Sequence, residues 1–353
     1  MPKRHRAIAL LSGGLDSTLA VKLMIDQGIE VIALNFMTPF CNCTAKSSSC
    51  KHEAVRVATE FGIPIRVISK GMEYLKLVEN PLHGRGRALN PCLDCRIFMH
   101  KAARELMLQE DASFLITGEV LGQRPMSQQR QAMELIERES GTNDLLLRPL
   151  SAHHFEPTLA EREGWVDRNQ LLALQGRTRS AQIQLAKDLG VSDYPCPAGG
   201  CLLTEPAFSG RLNDLFIHKP DYTIEDVRLL RTGRHFRLRP ELKVIVGRNQ
   251  EENEVLRHIP GTEHLLFHCE DFGGPTALIR EVANANDELM IARMLLHYAG
   301  ISCGTVTVAG RRIVATDPLS AAAIDLLRIS PYKKEQPSRR GGNKPRKEEE
   351  LVN

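Results

Sequence analysis

The chain has 353 residues, of which 42% are hydrophobic and 25% are charged, a composition typical of a globular protein with two domains. Its formal net charge of +3 excludes a strong overall attraction to nucleic acid, so any basic surface must be local. No apolar stretch reaches the length of a membrane span, and the run at 7–11 is too short for a secretion signal. We therefore expect a cytoplasmic protein with no membrane partner.

Strand and helix patterns alternate from the first residues to about Leu189. Short apolar runs predict strands at 7–11, 30–36, 63–68 and 113–117, and helical spacing predicts helices at 18–27, 52–61 and 97–109. This alternation predicts an α/β fold with a doubly wound parallel sheet, whose ligands collect at the carboxyl ends of the strands. The cysteines before residue 113 are expected in loops near that edge.

The pattern changes at about Pro206 to shorter, mixed elements. Predicted helices lie at 221–230, 249–258 and 287–299, and predicted strands at 243–246, 265–269, 276–279, 305–308 and 312–316, the last two as a hairpin. This mixture is typical of an α+β domain. We therefore predict domains at 1–205 and 206–330, followed by a basic tail at 331–353 that is expected to be disordered.

The most specific motif is Ser12-Gly13-Gly14-Leu15-Asp16-Ser17, between a predicted strand and a predicted helix. Glycines let the backbone approach a phosphate closely, and the N–H groups at a helix start hold the anion. Ser12 and Ser17 add hydroxyl donors, and Asp16 can place Mg²⁺ against a leaving pyrophosphate. The alternative is an ordinary strand–helix turn with a capping serine.

The complete S-G-G-x-D-S pattern resembles the PP-loop of the N-type ATP pyrophosphatases. The resemblance implies an adenine nucleotide alpha hydrolase-like fold that cleaves ATP to AMP and pyrophosphate by adenylating an oxygen of its substrate. It implies ATP and Mg²⁺ as ligands and a catalytic role for Asp16. The residues expected to bind the nucleotide are Ser12, Gly13, Gly14, Asp16, Ser17, Asn35, Gly118 and Gln123.

Three later segments resemble the tRNA thiolases of that superfamily. ITGEVLGQ and MSQ within 116–128 are similar to the T-G-x-x-L-G-Q…S-Q stretch of the 4-thiouridine synthetase, and R-P-L follows at 148–150. NPCLDC at 90–95 is similar to the N-P-x-x-x-C of the 2-thiouridylases and to the C-x-x-C of iron–sulfur-dependent thiolases. The resemblance covers about residues 6–205. The synthetase's RNA-binding region and sulfur-carrying rhodanese have no counterpart, so its sulfur route is not implied.

Nine cysteines without an export signal argue against a disulfide framework and favour metal, cluster or thiol chemistry. Sulfur transfer needs either a cysteine persulfide or a cluster that holds an extra sulfide on an iron left open by three thiolate ligands. The resemblance to three-cysteine thiolases implies a [4Fe–4S] cluster. The expected ligands, also assigned as catalytic, are Cys92, Cys95 and Cys201, with Cys196 as the substitute for Cys201.

Spacing alone leaves three alternatives to the cluster. Structural zinc would use Cys92, Cys95, Cys196 and Cys201, a persulfide pair would use Cys95 with Cys201, and plain buried thiols would have no chemical role. Cys41, Cys43 and Cys50, near His52, are open between a second metal site, acceptance of sulfur and a redox-labile flap. Cys269 and Cys303 are expected in the core.

The second domain contains a dense basic run, which suits a loop that tracks nucleic-acid phosphates. The segments 246–254 and 273–277 resemble the RNA-binding module of the NFACT proteins, with coverage of about residues 208–328. A solvated basic face without a ligand is the alternative. The residues expected to bind RNA are Arg234, Arg237, Arg239 and Arg248.

Together these features predict an ATP-dependent tRNA sulfurtransferase. It would adenylate a uridine carbonyl oxygen and replace it with sulfur, with tRNA and a sulfur donor (a cysteine desulfurase or sulfide) as partners. Two alternatives remain: an adenylating enzyme acting on a small molecule by amidation or sulfur insertion, and an RNA-binding protein that only senses ATP. The basic second domain opposes the first alternative, and Asp16 with the clustered cysteines opposes the second.

Overall fold

A computed structural model describes residues 5–41, 50–191, 194, 201–259 and 264–333, without the side chains of Cys50 and Lys51. Cys43, Cys196 and residues 334–353 of the predicted tail therefore lie outside the described residues. Within the described ranges, no helix is both long enough and apolar enough to cross a membrane.

Five strands of the amino-terminal half form a parallel sheet in the order β3-β2-β1-β4-β5. They are β1 (Arg6–Leu10), β2 (Glu30–Met37), β3 (Ile65–Ser69), β4 (Phe114–Thr117) and β5 (Leu146–Leu147). The strand order runs outward from β1 to β3 and then returns to the other side of β1 at β4. In open α/β sheets, ligands bind beyond the carboxyl ends of the strands at this reversal. The site is therefore expected where β1 and β4 end.

Helices cover both faces of this sheet. They are α1 (Leu15–Asp26), α2 (Cys50–Glu60), α3 (Met72–Glu79), α4 (Cys92–Gln109), α5 (Arg130–Ser140), α6 (Leu159–Arg162) and α7 (Ser180–Asp188). Side chains alternate along a strand, so Ala7 and Ala9 of β1 pack in one core with Leu19 of α1. Ile8 faces the opposite core with Leu106 of α4. The predicted doubly wound α/β fold is thus confirmed.

The carboxyl-terminal half contains a separate antiparallel sheet in the order β11-β10-β8-β9-β7-β6. Its strands are β6 (Arg234–Arg239), β7 (Leu242–Val246), β8 (Leu265–Cys269), β9 (Ala277–Ile279), β10 (Cys303–Val308) and β11 (Arg311–Thr316), and its helices are α8 (Pro206–His218), α9 (Ile224–Leu229), α10 (Gln250–Arg257), α11 (Ala285–Ala299) and α12 (Ala321–Leu327). Phe236 and Phe267 of the sheet pack against Leu295 of α11. The prediction of an α+β module is confirmed.

Two of the helices that begin earlier than predicted, α1 and α4, bear on the site. α1 begins at Leu15, so Asp16 and Ser17 lie in its first turn. α4 begins at Cys92, where the prediction placed a loop. Pro91 precedes the helix, and its carbonyl accepts the backbone N–H of Cys95 at 2.8 Å. Because proline suits the start of a helix, this segment continues α4 one turn further back, and both cysteines of the C-x-x-C are helical.

The two halves share a third core. Phe40, Tyr74 and Leu75 of the amino-terminal half pack in it with Phe208 and Leu212 of α8. The sequence pattern predicted no helix at 206–218, although Pro206 occupies its first turn. The domain boundary between residues 205 and 206 remains a prediction. Helix α8, which follows it, packs against the first domain by apolar contacts.

Candidate functional site

The phosphate loop folds back on its own serines at the end of β1. The Ser12 backbone N–H donates to Ser17 Oγ at 3.3 Å, and the two hydroxyl oxygens are 3.1 Å apart. Ser17 Oγ also lies 2.9 Å from the Gly14 carbonyl, to which it donates. No side chain caps the start of α1 at Gly14. The first N–H groups of a helix have no partner within the helix, so this loop presents a site for an anion.

Two glycines make this loop geometry sterically possible. Gly13 has a φ of +78°, and a Cβ there would lie 2.5 Å from Glu53 Cβ. A Cβ on Gly118, just beyond β4, would lie 2.5 Å from the carbonyl carbon and oxygen of Asp16 and from the Ser17 nitrogen. Gly118 was predicted to bind the nucleotide. In the structure Gly118 lies against the backbone of the loop. Because it has no side chain, the loop can approach the end of β4 closely.

Asp16 has one carboxylate oxygen engaged and one without a partner. Oδ2 accepts from Gln123 Nε2 at 2.8 Å and from Arg179 Nη2 at 3.0 Å. Oδ1 is buried and has no hydrogen-bond partner among the described residues. A buried, unpaired carboxylate oxygen is costly and is the ligand that Mg²⁺ prefers. The residues present therefore fit a divalent cation at Asp16.

Gln123 and Asn35 occupy different positions relative to the loop. Gln123 contacts Asp16 directly, and its own Oε1 lies 3.4 Å from Gln182 Nε2 of α7. Asn35 of β2 is buried and donates from Nδ2 to the Leu11 carbonyl at 2.8 Å, which secures the chain just before the loop. The sequence thus located both residues at this edge. Arg179 carries no motif and was not predicted.

A buried charge cluster lies immediately after Gly118. Glu119 is 3.6 Å from Arg96 of α4 and 3.3 Å from Arg148. Burial would raise the pKa of Glu119, but these two guanidinium groups hold it below its ordinary value. His100 is fully buried beside them, and burial lowers its pKa to about 4. The cluster joins α4 to the end of β4 and so fixes the C-x-x-C helix relative to the loop.

Cys95 lies between a buried lysine and a tyrosine. Lys70 Nζ and Tyr74 Oη each lie 3.1 Å from Cys95 Sγ and donate to it. Lys70 is only 4% exposed, and its Nζ also lies 4.4 Å from the centre of the Tyr74 ring. Burial raises the pKa of Cys95, but the Lys70 ammonium and the Tyr74 hydroxyl outweigh it, so the pKa lies below its ordinary value. This environment favours a thiolate.

Cys201 is another of the predicted ligand cysteines, and its environment favours the protonated thiol, unlike that of Cys95. It is opposite Cys41 in an antiparallel bridge, and the neighbouring Leu202 N–H donates to the Phe40 carbonyl at 2.9 Å. Burial raises the pKa of Cys201 to about 12, and the nearby Cys95 adds to that rise. Cys201 is therefore a protonated thiol at neutral pH. Cys41, whose role the sequence left open, is the bridge partner of Cys201.

The metal site predicted on the cysteines is incomplete among the described residues. No group of three or more Cys, His, Asp or Glu among the described residues is placed to hold a metal ion. An ammonium group on Cys95 Sγ also opposes a cation at that sulfur. Cys92, Cys95 and Cys201 all act electrostatically on Tyr74, and Cys196 lies outside the described residues, so the predicted ligand set stays a prediction. The prediction of a buried Cys303 is wrong, because Cys303 is exposed, whereas Cys269 is half-buried.

Three of the four arginines expected to bind RNA, Arg234, Arg237 and Arg239, lie in β6, so the predicted loop is wrong there, whereas Arg248 lies between β7 and α10. Residues 234–239 pair with β7, and side chains alternate along the strand so that Phe236 packs in the core. The four side chains also have partners within the chain: Arg237 with Asp214, Arg239 with Asp287 and Glu241, Arg248 with Glu252, and Arg234 with the Gly247 carbonyl and the Tyr298 ring.

Two family models match this chain. The model described as "Thiamine biosynthesis protein (ThiI)" matches residues 3–156, and that described as "NFACT protein RNA binding domain" matches residues 233–315. The first match ends earlier than the predicted coverage to residue 205. It includes the phosphate loop, Cys92, Cys95 and Gly118.

Curated relatives match part of the chain. The tRNA-specific 2-thiouridylase MnmA of Leptospira biflexa is 30% identical over 111 residues, 28% of this chain and 29% of the relative. The probable tRNA sulfurtransferase of Ureaplasma parvum is 29% identical over 158 residues, 44% of this chain and 39% of the relative. The chain thus spans less than half the length of these relatives.

A solved structure of a 4-thiouridine synthetase–RNA complex with bound ATP aligns with a TM-score of 0.34 and 22% identity, covering 53% of this chain and 52% of that chain. The carboxyl-terminal part of the fibronectin/fibrinogen-binding protein from Streptococcus suis aligns with a TM-score of 0.24 and 9% identity, covering 73% of this chain and 98% of that chain. The fold assignment depends on strand order and not on these alignments. The family matches confirm the predicted resemblances: residues 3–156 are similar to the ThiI family model, and residues 233–315 are similar to the model of the NFACT RNA-binding domain.

Proposed function

We propose that this chain is an ATP-dependent tRNA thiolase that exchanges a uridine carbonyl oxygen for sulfur. One observation carries the proposal: Gly118 packs against the backbone of Asp16, and the next residue, Glu119, lies 3.6 Å from Arg96 in the helix that begins at Cys92. The phosphate loop and the start of α4 therefore flank one space at the carboxyl edge of the sheet. An adenylating site and a thiol site on the same space are what oxygen-to-sulfur exchange requires. The names of the matched relatives agree with this assignment.

The first half of the reaction uses the loop. ATP would bind with its phosphates on the helix-start N–H groups and the hydroxyls of Ser12 and Ser17. Mg²⁺ held by Asp16 Oδ1 would neutralise charge on the phosphates. The uridine carbonyl oxygen then attacks the α-phosphorus, and the bond to pyrophosphate breaks. The product carries AMP on that oxygen, which converts a poor leaving group into a good one.

The second half uses Cys95 in place of the predicted cluster. The Cys95 thiolate attacks the terminal sulfur of a donor persulfide. The donor leaves as a thiol, and Cys95 then carries a persulfide. The terminal sulfur attacks the adenylated carbon, and AMP leaves with the oxygen. A second thiol, assigned to Cys201, attacks Cys95 Sγ and loses its proton. The thiolated base is released, and an external dithiol reduces the resulting Cys95–Cys201 disulfide.

The second domain would hold the tRNA. Of the four predicted arginines, Arg248 keeps 49% of its side chain exposed and Arg239 keeps 35%. Arg237 is 17% exposed and paired with Asp214 at 2.6 Å, which suits a structural contact. We therefore assign RNA contacts to Arg239 and Arg248 before Arg237.

The test is pyrophosphate release with and without tRNA, measured on wild type, Asp16→Asn and Cys95→Ala, with Cys303→Ala as the control for an exposed cysteine. We expect tRNA-dependent release by wild type and Cys303→Ala and none by Asp16→Asn. Cys95→Ala should still adenylate but produce no thiolated base. Pyrophosphate release that does not depend on tRNA would favour a small-molecule substrate. No pyrophosphate release under any condition would favour an ATP-sensing RNA-binding protein.

A further inference from the structure

Arg179 occupies the carboxylate on which the proposed chemistry places Mg²⁺. Its Nη2 lies 3.0 Å from Asp16 Oδ2, while Oδ1 of the same carboxylate has no partner among the described residues. A divalent cation on Oδ1 would stand next to the guanidinium, and two cations at such a distance repel each other. Arg179 must therefore leave Asp16 or gain an anion when the metal arrives. Phosphates that arrive with the metal supply that anion.

The backbone of Arg179 is fixed while its side chain keeps access to solvent. It directly precedes α7, which packs against α1. Gln182 of α7 also reaches Gln123, the second donor to Asp16. The Arg179 side chain is 27% exposed. A guanidinium on a fixed helix start can change partners by side-chain rotation alone, without moving the loop.

Arg124 brings a second cation to the same space. It directly follows Gln123, whose side chain donates to Asp16 Oδ2 at 2.8 Å, and its own side chain is exposed. Burial of its inner part lowers its pKa, Arg96 and Arg179 lower it further, and Cys92 and Asp16 act in the opposite direction. Its charged neighbours are thus the residues of the site itself. Among the described residues Arg124 has no carboxylate within ion-pair distance, so the space carries positive charge that lacks a counter-ion.

We propose that Arg179 and Arg124 form a phosphate clamp over the loop. Arg179 pairs with Asp16 when the loop is empty and transfers to the β- and γ-phosphates when Mg²⁺ and ATP bind. Arg124 adds a second contact to the same phosphates. Guanidinium groups match phosphate oxygens in geometry as well as in charge. The inference deepens the proposed function and rests on ATP binding at Ser12–Ser17.

The first experiment measures binding of inorganic pyrophosphate and of AMP by calorimetry, with Mg²⁺ present. The proteins are wild type, Arg179→Gln, Arg179→Lys and Arg124→Gln, with Arg162→Gln as control because Arg162 forms an exposed ion pair with Asp144 away from the loop. We expect pyrophosphate binding about tenfold weaker in both Gln variants, as for loss of one charge-assisted hydrogen bond. Arg179→Lys should lie between, and AMP binding should not change.

The second experiment separates a clamp from a merely structural ion pair. Mn²⁺ binding is measured by water-proton relaxation without nucleotide, in wild type and Arg179→Gln. Removing the competing guanidinium should tighten Mn²⁺ binding about threefold or more, because Asp16 then has no bound cation. Unchanged or weaker Mn²⁺ binding, or wild-type pyrophosphate affinity in the Gln variants, overturns the clamp alone. A wild-type protein that binds neither pyrophosphate nor ATP overturns the proposed function with it.

Discussion

Gly118→Ala is the substitution that tests the steric design of the loop. The added Cβ would lie 2.5 Å from three backbone atoms of Asp16 and Ser17, whereas ordinary contacts begin at 3.4 Å. The end of β4 and the start of α1 must therefore separate by about 0.9 Å, and misplacement on the order of 1 Å can cost about 100-fold in rate. Overpacking of this kind also destabilises by about 1–3 kcal/mol. The loop should be displaced while the rest of the fold remains.

The assay is tRNA-dependent pyrophosphate release, combined with urea unfolding. We expect the rate to fall about 100-fold and the free energy of unfolding to fall by about 2 kcal/mol. The control is Gly71→Ala: Gly71 precedes α3 with a φ of −82°, and a Cβ there meets no atom within 4 Å. It should keep the full rate and lose less than about 1 kcal/mol.

One result would refute this reasoning. If Gly118→Ala releases pyrophosphate within about threefold of the wild-type rate and binds ATP normally, a 1 Å displacement of Asp16 has no consequence. The loop would then not require its close approach to β4, and Asp16 would not be the positioned ligand of the metal.

Three further predictions follow from the buried charges. Lys70→Met should slow alkylation of Cys95 by iodoacetamide at neutral pH and move its pH profile upward, because only Tyr74 and Arg96 then oppose the rise in the pKa of Cys95 that burial causes. Lys70→Arg should restore part of the rate, and an unchanged profile would exclude Lys70 from the thiol site. His100 has a pKa of about 4 against an unfolded value of about 6.5, so only the unfolded chain gains its proton as the pH falls through this range. Stability should therefore fall by about 3 kcal/mol from this group between pH 6.5 and 4, and His100→Leu should flatten that part of a stability–pH curve; an identical slope in the variant contradicts the assignment. Arg237→Ala should destabilise the protein by about 2 kcal/mol because it leaves the largely buried Asp214 with less compensation, whereas Arg248→Ala should change stability by less than about 1 kcal/mol and weaken tRNA binding in a filter assay. If Arg248→Ala instead destabilises the protein and Arg237→Ala weakens tRNA binding, Arg248 has the structural role and Arg237 the RNA contact.

The fold could be predicted because its signals are local. Apolar runs at 7–11 and 30–36 separated by a helical pattern specify a parallel unit, and Gly13 and Gly14 mark its turn. The start of α4 could not be placed in the same way. Residues 92–96 have weak helical periodicity, and beside the local signal of Pro91 the turn is held by contacts of Cys95 and Arg96 with residues remote in sequence.

The chemistry of the site could be predicted from the sequence only in part, because some of its residues belong to no local motif. Asp16 and Gln123 belong to motifs, and their contact could be expected from the meeting of strand ends. Lys70, Tyr74 and Arg179 belong to none, and chain segments far apart in sequence bring them to Cys95 and Asp16. Likewise the arginines at 234–239 look like a nucleic-acid surface in sequence, but their carboxylate partners come from remote positions such as Asp214 and Asp287.

The most direct test of tRNA thiolation is nucleoside mass spectrometry of tRNA after incubation with the protein, ATP, Mg²⁺ and a persulfide donor. We expect a uridine whose mass increases by an oxygen-to-sulfur exchange, formed by wild type and absent with Asp16→Asn and Cys95→Ala. Unmodified tRNA in a reaction where ATP is nevertheless cleaved to AMP and pyrophosphate would contradict tRNA thiolation, because the loop would then adenylate a different substrate.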